Sequence, residues 1–174
     1  MIEVELRGFL SKNQYLELSS RLKAEADNFE DDDKYAHFFK YENGILKIVD
    51  EVSKNQKKIS LKVGNELSIN GLHEVEVYLK DQDDFNLSLE MFKLLGFETE
   101  SEIHQKRTNY MYKDTVISLK YTESWSYHFE IEKVVAEESD VNEAKRQIKD
   151  VCKELGITPL NENELAAFLK SLRK

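Results

Sequence analysis

Glu3, Glu5 and Arg7 alternate with Ile2, Val4 and Leu6 at the start of the chain. Read as a strand, this stretch puts the charged residues on one face and the apolar residues on the other. A strand rises roughly 3.3 Å per residue, so successive charged groups fall about 7 Å apart. Such a row can hold a divalent cation and an anionic oxygen side by side. An amphipathic strand with a solvated charged face would carry the same pattern. The pattern then recurs at Lys58–Val63, at Glu74–Leu79 and at His128–Glu132. Repetition on distant strands favours a common charged surface, since acids and bases gathered from several strands are what a metal-bound polyphosphate needs.

The elements that must position these residues can be read from periodicity. Ser11 is placed to cap a helix from Lys12 to about Glu25, with Tyr15, Leu16, Leu18, Leu22 and Ala26 as its apolar stripe. Strands are predicted at Lys34–Tyr41, Ile45–Asp50, Lys57–Val63 and His73–Leu79, with Asn70-Gly71 as a hairpin signal. A second helix is predicted from Asp84 to Leu95, stopped by Gly96. Further strands are predicted at Glu98–Tyr112, Val116–Thr122 and Tyr127–Val135, then helices at Val141–Leu155 and Asn163–Leu172. The acidic run Glu30-Asp31-Asp32-Asp33 reads as a solvated loop, because adjacent residues on an extended chain point in opposite directions. The expected class is α+β: an eight-stranded antiparallel, closed or nearly closed β-barrel with helices packed outside. With one proline, and no repeat, linker or low-complexity stretch, residues 1–174 read as a single domain.

The chain has 34 acidic and 25 basic residues and a formal charge of -9, which argues against a broad nucleic-acid surface. Cys152 is the one cysteine, so an internal disulfide is excluded, and its helical setting predicts a small buried apolar residue. There is no four-ligand zinc pattern, no signal-peptide pattern and no apolar run of the ~18 residues a membrane helix requires. A cytoplasmic protein that does not engage membrane is the default expectation.

The order of these motifs resembles the CYTH family, also called triphosphate tunnel metalloenzymes, which includes class IV adenylyl cyclases, thiamine triphosphatases and inorganic triphosphatases. Glu3, Glu5 and Arg7 resemble its opening Glu-x-Glu-x-Lys signature. Ile45-Leu46-Lys47-Ile48 is similar to a Leu-Arg-Ile-Arg strand, and Ile59-Ser60-Leu61-Lys62 to a Leu-Thr-x-Lys strand. Glu74-Val75-Glu76 resembles the central Glu-x-Glu, Lys106 to Tyr110 the basic strand ending in tyrosine, and Phe129-Glu130-Ile131-Glu132 the late Glu-Ile-Glu. The resemblance implies Mg²⁺ or Mn²⁺ held by Glu3, Glu5, Glu130 and Glu132. It implies phosphate binding by Arg7, Lys47, Lys62, Arg107 and Lys120. Glu5, Arg7 and Glu130 would carry the catalysis, and Glu74 and Glu76 would bind a second metal or orient the basic groups.

Departures from the family pattern fall at Arg7 in place of lysine, Val49 and Leu72 in place of basic residues, and Gln105 at an often basic position. Lys120 stands where aspartate is common, and Ser126 where glycine is usual. Three functions follow. The first is metal-dependent hydrolysis of a small-molecule triphosphate or polyphosphate. The second is adenylyl cyclisation, and the third is non-catalytic binding of a polyphosphate by a thinned clamp. His128 shares the face of Glu130 and Glu132, where it would be a hydrogen-bonded histidine or a proton carrier. A homodimer is left open.

Overall fold

A computed structural model describes residues 2–63 and 73–172. The predicted Asn70-Gly71 hairpin and Leu72 lie outside the described residues. The chain forms two compact units. The first comprises residues 2–31 and 107–172, the second residues 32–63 and 73–106. No helix among the described residues is long and apolar enough to cross a membrane.

The first unit contains strand β1 (Ile2–Phe9), helix α1 (Lys12–Glu25) and strand β2 (Asn28–Asp31). The second contains β3 (Lys34–Phe39), β4 (Gly44–Glu51), β5 (Gln56–Val63), β6 (His73–Leu79) and α2 (Gln82–Leu94). β7 (Thr99–Tyr112) runs through both. β8 (Thr115–Thr122), β9 (Ser126–Val135), α3 (Val141–Leu155) and α4 (Glu162–Leu172) complete the first unit. The assigned pairings are antiparallel, in the order β1-β9-β8-β7-β3-β4-β5-β6, and no pairing among the described residues closes that path.

The α+β antiparallel organisation agrees with the sequence pattern, with one correction. The first half of the acidic run is not a loop, while Asp32 and Asp33 connect β2 to β3. Residues 28–31 form a ninth strand, which pairs with residues 108–111 of β7, and Thr108 donates to Asp31 at 3.0 Å. Asp32 is buried, with the Lys34 and Lys54 ammonium groups 3.1 and 3.2 Å from its carboxylate. Backbone pairing along β7 overrides the low strand propensity of this stretch.

In the first unit, α3 packs across β1 and β9. Its Ala144, Ile148, Val151 and Cys152 join Val4, Ile117, Leu119, Phe129 and Ile131 in one core. Cys152 is the buried apolar residue expected, and burial raises its thiol to about 11, so it is inert at neutral pH. Ser11 caps α1 through a reciprocal pair with Gln14. α3 ends on Gly156 in the left-handed conformation at φ 70°. The chain then returns across β1, where Leu160 N–H donates to the Arg7 carbonyl at 2.8 Å. A Cβ on Gly8 would lie 2.5 Å from Thr158 O and 2.7 Å from the Phe129 ring. Gly8→Ala is therefore expected to cost about 1–3 kcal/mol in a urea titration, because neither backbone nor core ring can yield cheaply.

In the second unit, α2 packs on β4 and β5 around Phe39, Leu46, Ile48, Phe85 and Phe92. α2 begins earlier than its apolar pattern indicates, since Asp81 caps it by accepting from Asp83 N and Asp84 N at 3.0 and 3.1 Å.

Candidate functional site

Strand register gathers the charged residues of the first unit into a grid. β1 pairs β9 with Glu5 opposite Glu132, Arg7 opposite Glu130 and Phe9 opposite His128. β8 continues the rows, with Val116 opposite Glu132, Ser118 opposite Glu130 and Lys120 opposite His128. Directly opposed residues share a face, so alternate positions on three strands present acids and bases together while Val4, Ile131, Ile117 and Leu119 fill the reverse.

The grid has a cationic end and an acidic end. At the cationic end, the Lys120 ammonium contacts Glu130 directly, and Arg7 Nη1 lies 4.0 Å from the same carboxylate. Burial alone would push Glu130 up, but Lys120 and Arg7 outweigh it and hold the carboxyl low. Burial also pulls Lys120 below the usual lysine range despite Glu130. Arg107 Nε donates to Asn109 Oδ1 at 2.5 Å, and Ser118 Oγ donates to the same oxygen at 2.8 Å, so Ser118 and Asn109 brace the arginine.

At the acidic end, burial first and the neighbouring Glu130 second raise Glu5. Burial first and Glu3 second raise Glu132. Glu5 Oε1 is buried outside hydrogen-bonding alignment, although Arg7 Nη2 comes within 2.5 Å. Burial and neighbouring acids therefore disfavour the charged form of both carboxylates, which a cation would restore. The donor set is all oxygen, which suits a hard divalent cation such as Mg²⁺ or Mn²⁺. Among the described residues, no three such donors already surround one point.

His128 is buried, with its Nδ1 3.0 Å from the Ser126 carbonyl. Burial lowers it to about 4, so it is a neutral imidazole at neutral pH. Ser126, at the position where glycine is usual in the resemblance, adopts φ 56°, a conformation that glycine tolerates better.

The second unit carries its own grid. β5 presents Lys58, Ser60 and Lys62 between β4 and β6, with Lys47 and Glu76 opposite Ser60, and Glu74 opposite Lys62. Ser60 Oγ donates to Glu74 at 2.8 Å, and Lys62 lies 3.3 Å from it. Lys58 joins Glu76 at 2.6 Å and Glu51 at 3.1 Å, and Tyr78 OH donates to Glu76 at 2.9 Å. Lys47 differs from its neighbours. No carboxylate among the described residues forms an ion pair with it, and burial followed by the charge of Lys62 lowers it to about 8. A half-buried ammonium that forms no ion pair with the described carboxylates, and feels Glu74 only at longer range, is a candidate site for an anionic oxygen.

Lys58, Glu51 and Ser118 were not legible as site residues from the motifs, although Lys58 shares the two-residue period of Ser60 and Lys62. Val49, noted as a missing basic residue, is buried opposite Lys58.

A model of the CYTH domain matches residues 1–164. No curated protein sequence matches the chain. Among solved structures, a conserved hypothetical protein from Pyrococcus furiosus is similar at 23% identity and TM-score 0.72, covering 90% of this chain and 91% of that one. A provisionally assigned adenylate cyclase from Vibrio parahaemolyticus is similar at 11% identity and TM-score 0.71, covering 92% and 94%. A Hippeastrum protein, provisionally assigned as an adenylyl cyclase and described as having a dominant triphosphatase activity, is similar at 20% identity and TM-score 0.68, covering 97% and 95%. At these identities the likeness is one of fold.

Proposed function

The chain belongs to the CYTH-domain family, and from that premise we propose that it hydrolyses a triphosphate-containing small molecule with the help of Mg²⁺ or Mn²⁺. The observation that carries this reading is the register that gathers buried glutamates at one end of the grid beside a cationic end. Glu5 and Glu132 are raised by burial and by neighbouring acids, while Arg7 and Lys120 stand on adjoining positions and the charge of Arg107 acts on Glu130 and Glu132. Glu3, Glu5, Glu130 and Glu132 would hold the metal. When bound, it would polarise a phosphoryl oxygen and lower the pKa of an attacking water.

The chain's own residues do the rest. Arg7, Lys120 and Arg107 donate to phosphate oxygens and stabilise charge that spreads onto those oxygens in transfer. Arg7 cannot serve as a base, because a guanidinium stays protonated. Glu5 and Glu130 set the charge around the reacting group. In the second unit, Lys47 and Lys62 offer donors to an anionic oxygen. Glu74 and Glu76, already bonded to Ser60, Lys62, Lys58 and Tyr78, serve as orienting acids rather than as ligands of a second metal.

The contact between Lys120 and Glu130 favours a second reading, in which the lysine takes the place of part of the metal's charge and the protein binds a polyphosphate without turnover. Phosphate release from tripolyphosphate and nucleoside triphosphates, with and without Mg²⁺ or Mn²⁺, separates the two. Metal-dependent release supports hydrolysis, and cyclic nucleotide as the product would assign cyclisation instead. Tight tripolyphosphate binding without release assigns the binding module, and neither binding nor release removes all three.

A further inference from the structure

Trp125 is the only tryptophan, and it sits in the turn between β8 and β9, where its backbone N–H donates to Thr122 Oγ1 at 3.0 Å. Its ring is 5.8 Å from the Arg7 guanidinium carbon and 5.1 Å from the His128 ring. α4 holds it there. Phe168 meets the indole edge-on at 4.7 Å and 76°, and meets Phe9 at 4.7 Å and 75°, while Phe9 lies 6.0 Å from Trp125. The segment leading into α4 is tied to the same strand by the bond from Leu160 N–H to the Arg7 carbonyl.

An arginine side chain has many rotamers, and its usefulness to a phosphate depends on the plane in which its donors lie. Glu5 draws the guanidinium from one side, at 2.5 Å. The indole bounds it from another, with the attraction of a cation for an aromatic face. We propose that Trp125 is a positioning residue for Arg7. It fixes the guanidinium plane so that donors stay available to a phosphate oxygen rather than folding fully onto Glu5, and α4 sets the indole through Phe168. This rests on the reading of Arg7 as a phosphate ligand. It assigns the last helix a role in the site, although none of its residues touches the charged grid in the described contacts.

The test is steady-state hydrolysis of tripolyphosphate by Trp125→Leu, Trp125→Phe and Phe168→Ala. Loss of orientation in the bound state is expected to raise KM about five- to tenfold in Trp125→Leu, with kcat within about twofold. Trp125→Phe keeps an aromatic face and is expected to retain most of the affinity, and Phe168→Ala to lose roughly threefold. In an Arg7→Met background, Trp125→Leu is expected to have no further effect. A purely structural role would instead give additive losses and no rescue by phenylalanine. A second readout needs no ligand. The Arg7 Nε–H resonance is expected to lose its ring-current shift in Trp125→Leu and to move in Phe168→Ala. Wild-type protein that neither binds nor cleaves tripolyphosphate overturns the functional reading. An unmoved Arg7 resonance, or kinetics of Trp125→Leu equal to wild type, overturns this inference while leaving that reading intact.

Discussion

Glu130→Gln is expected to lower both stability and turnover, and the two losses should respond differently to a second substitution. Lys120 is 6% exposed in its side chain and its direct partner is Glu130. Removing the charge of that partner leaves a buried ammonium with only the weaker attraction of Glu5, a change that typically costs about 3–5 kcal/mol. In a chain of this length, that lowers the melting temperature on the order of 10 °C. Replacing the lysine as well, in Lys120→Met/Glu130→Gln, removes the orphaned charge, so most of the stability should return. Turnover should not return. If Glu130 holds metal and sets the charge at the reacting group, its loss is worth several kcal/mol of transition-state stabilisation, roughly a hundredfold or more in kcat/KM. Urea unfolding and phosphate release on the three proteins check this. Full activity in Glu130→Gln would place the glutamate outside the reaction. An unstable double variant would show that packing, not charge, makes the pair matter.

The contrast between these two effects also marks where the sequence was readable. Alternation of Glu3, Glu5 and Arg7 with Ile2, Val4 and Leu6 fixes which face is charged, because strand geometry sends neighbours to opposite sides. The same rule places Glu130 and Glu132 opposite Phe129 and Ile131. It does not say which acid faces which base. That depends on register, in which Glu5 meets Glu132 and Arg7 meets Glu130, and a one-residue slip would change every partner. Hence Lys120 could be recognised as a departure from the family pattern but not as the partner of Glu130. β2 was missed because its residues, Asn28-Phe29-Glu30-Asp31, carry no strand alternation of their own; it exists because β7 offers it backbone partners. The start of α2 was placed late because Asp81 and Gln82 add a cap and a first turn without adding to the apolar stripe. The Phe9, Trp125 and Phe168 cluster escaped for another reason. Its members are 116 and 43 residues apart in sequence, and no local period connects them.

Lys47→Met is expected to make the free protein more stable and the liganded protein weaker. Lys47 titrates at about 8 in the folded chain, chiefly because burial disfavours its charge and then because Lys62 repels it. In the unfolded chain it returns to the ordinary lysine value, near 10.4. Between those values the unfolded state binds more protons than the folded state, so this group makes stability rise with pH across that window. At neutral pH the whole penalty is present, up to about 3 kcal/mol, and methionine removes it. The gain should therefore be largest below pH 8 and fade toward pH 10. An anionic ligand reverses the balance: a phosphate oxygen beside the ammonium favours its charged form. At pH 8, where Lys47 is half protonated, tripolyphosphate binding should draw about half a proton onto it from solution. Calorimetry in two buffers of different ionisation enthalpy measures that uptake, and the ligand's own titration cancels in the difference between wild type and Lys47→Met. The variant should also bind at least about tenfold more weakly, the value of one charge-assisted hydrogen bond. A variant that is stabilised yet binds tripolyphosphate with unchanged affinity and unchanged proton uptake would remove Lys47 from the phosphate ligands. A variant that gains no stability would mean that the charge has a counterion in solution. The joint outcome, greater stability together with lost affinity, is what distinguishes a cation placed for a ligand from one that merely packs poorly.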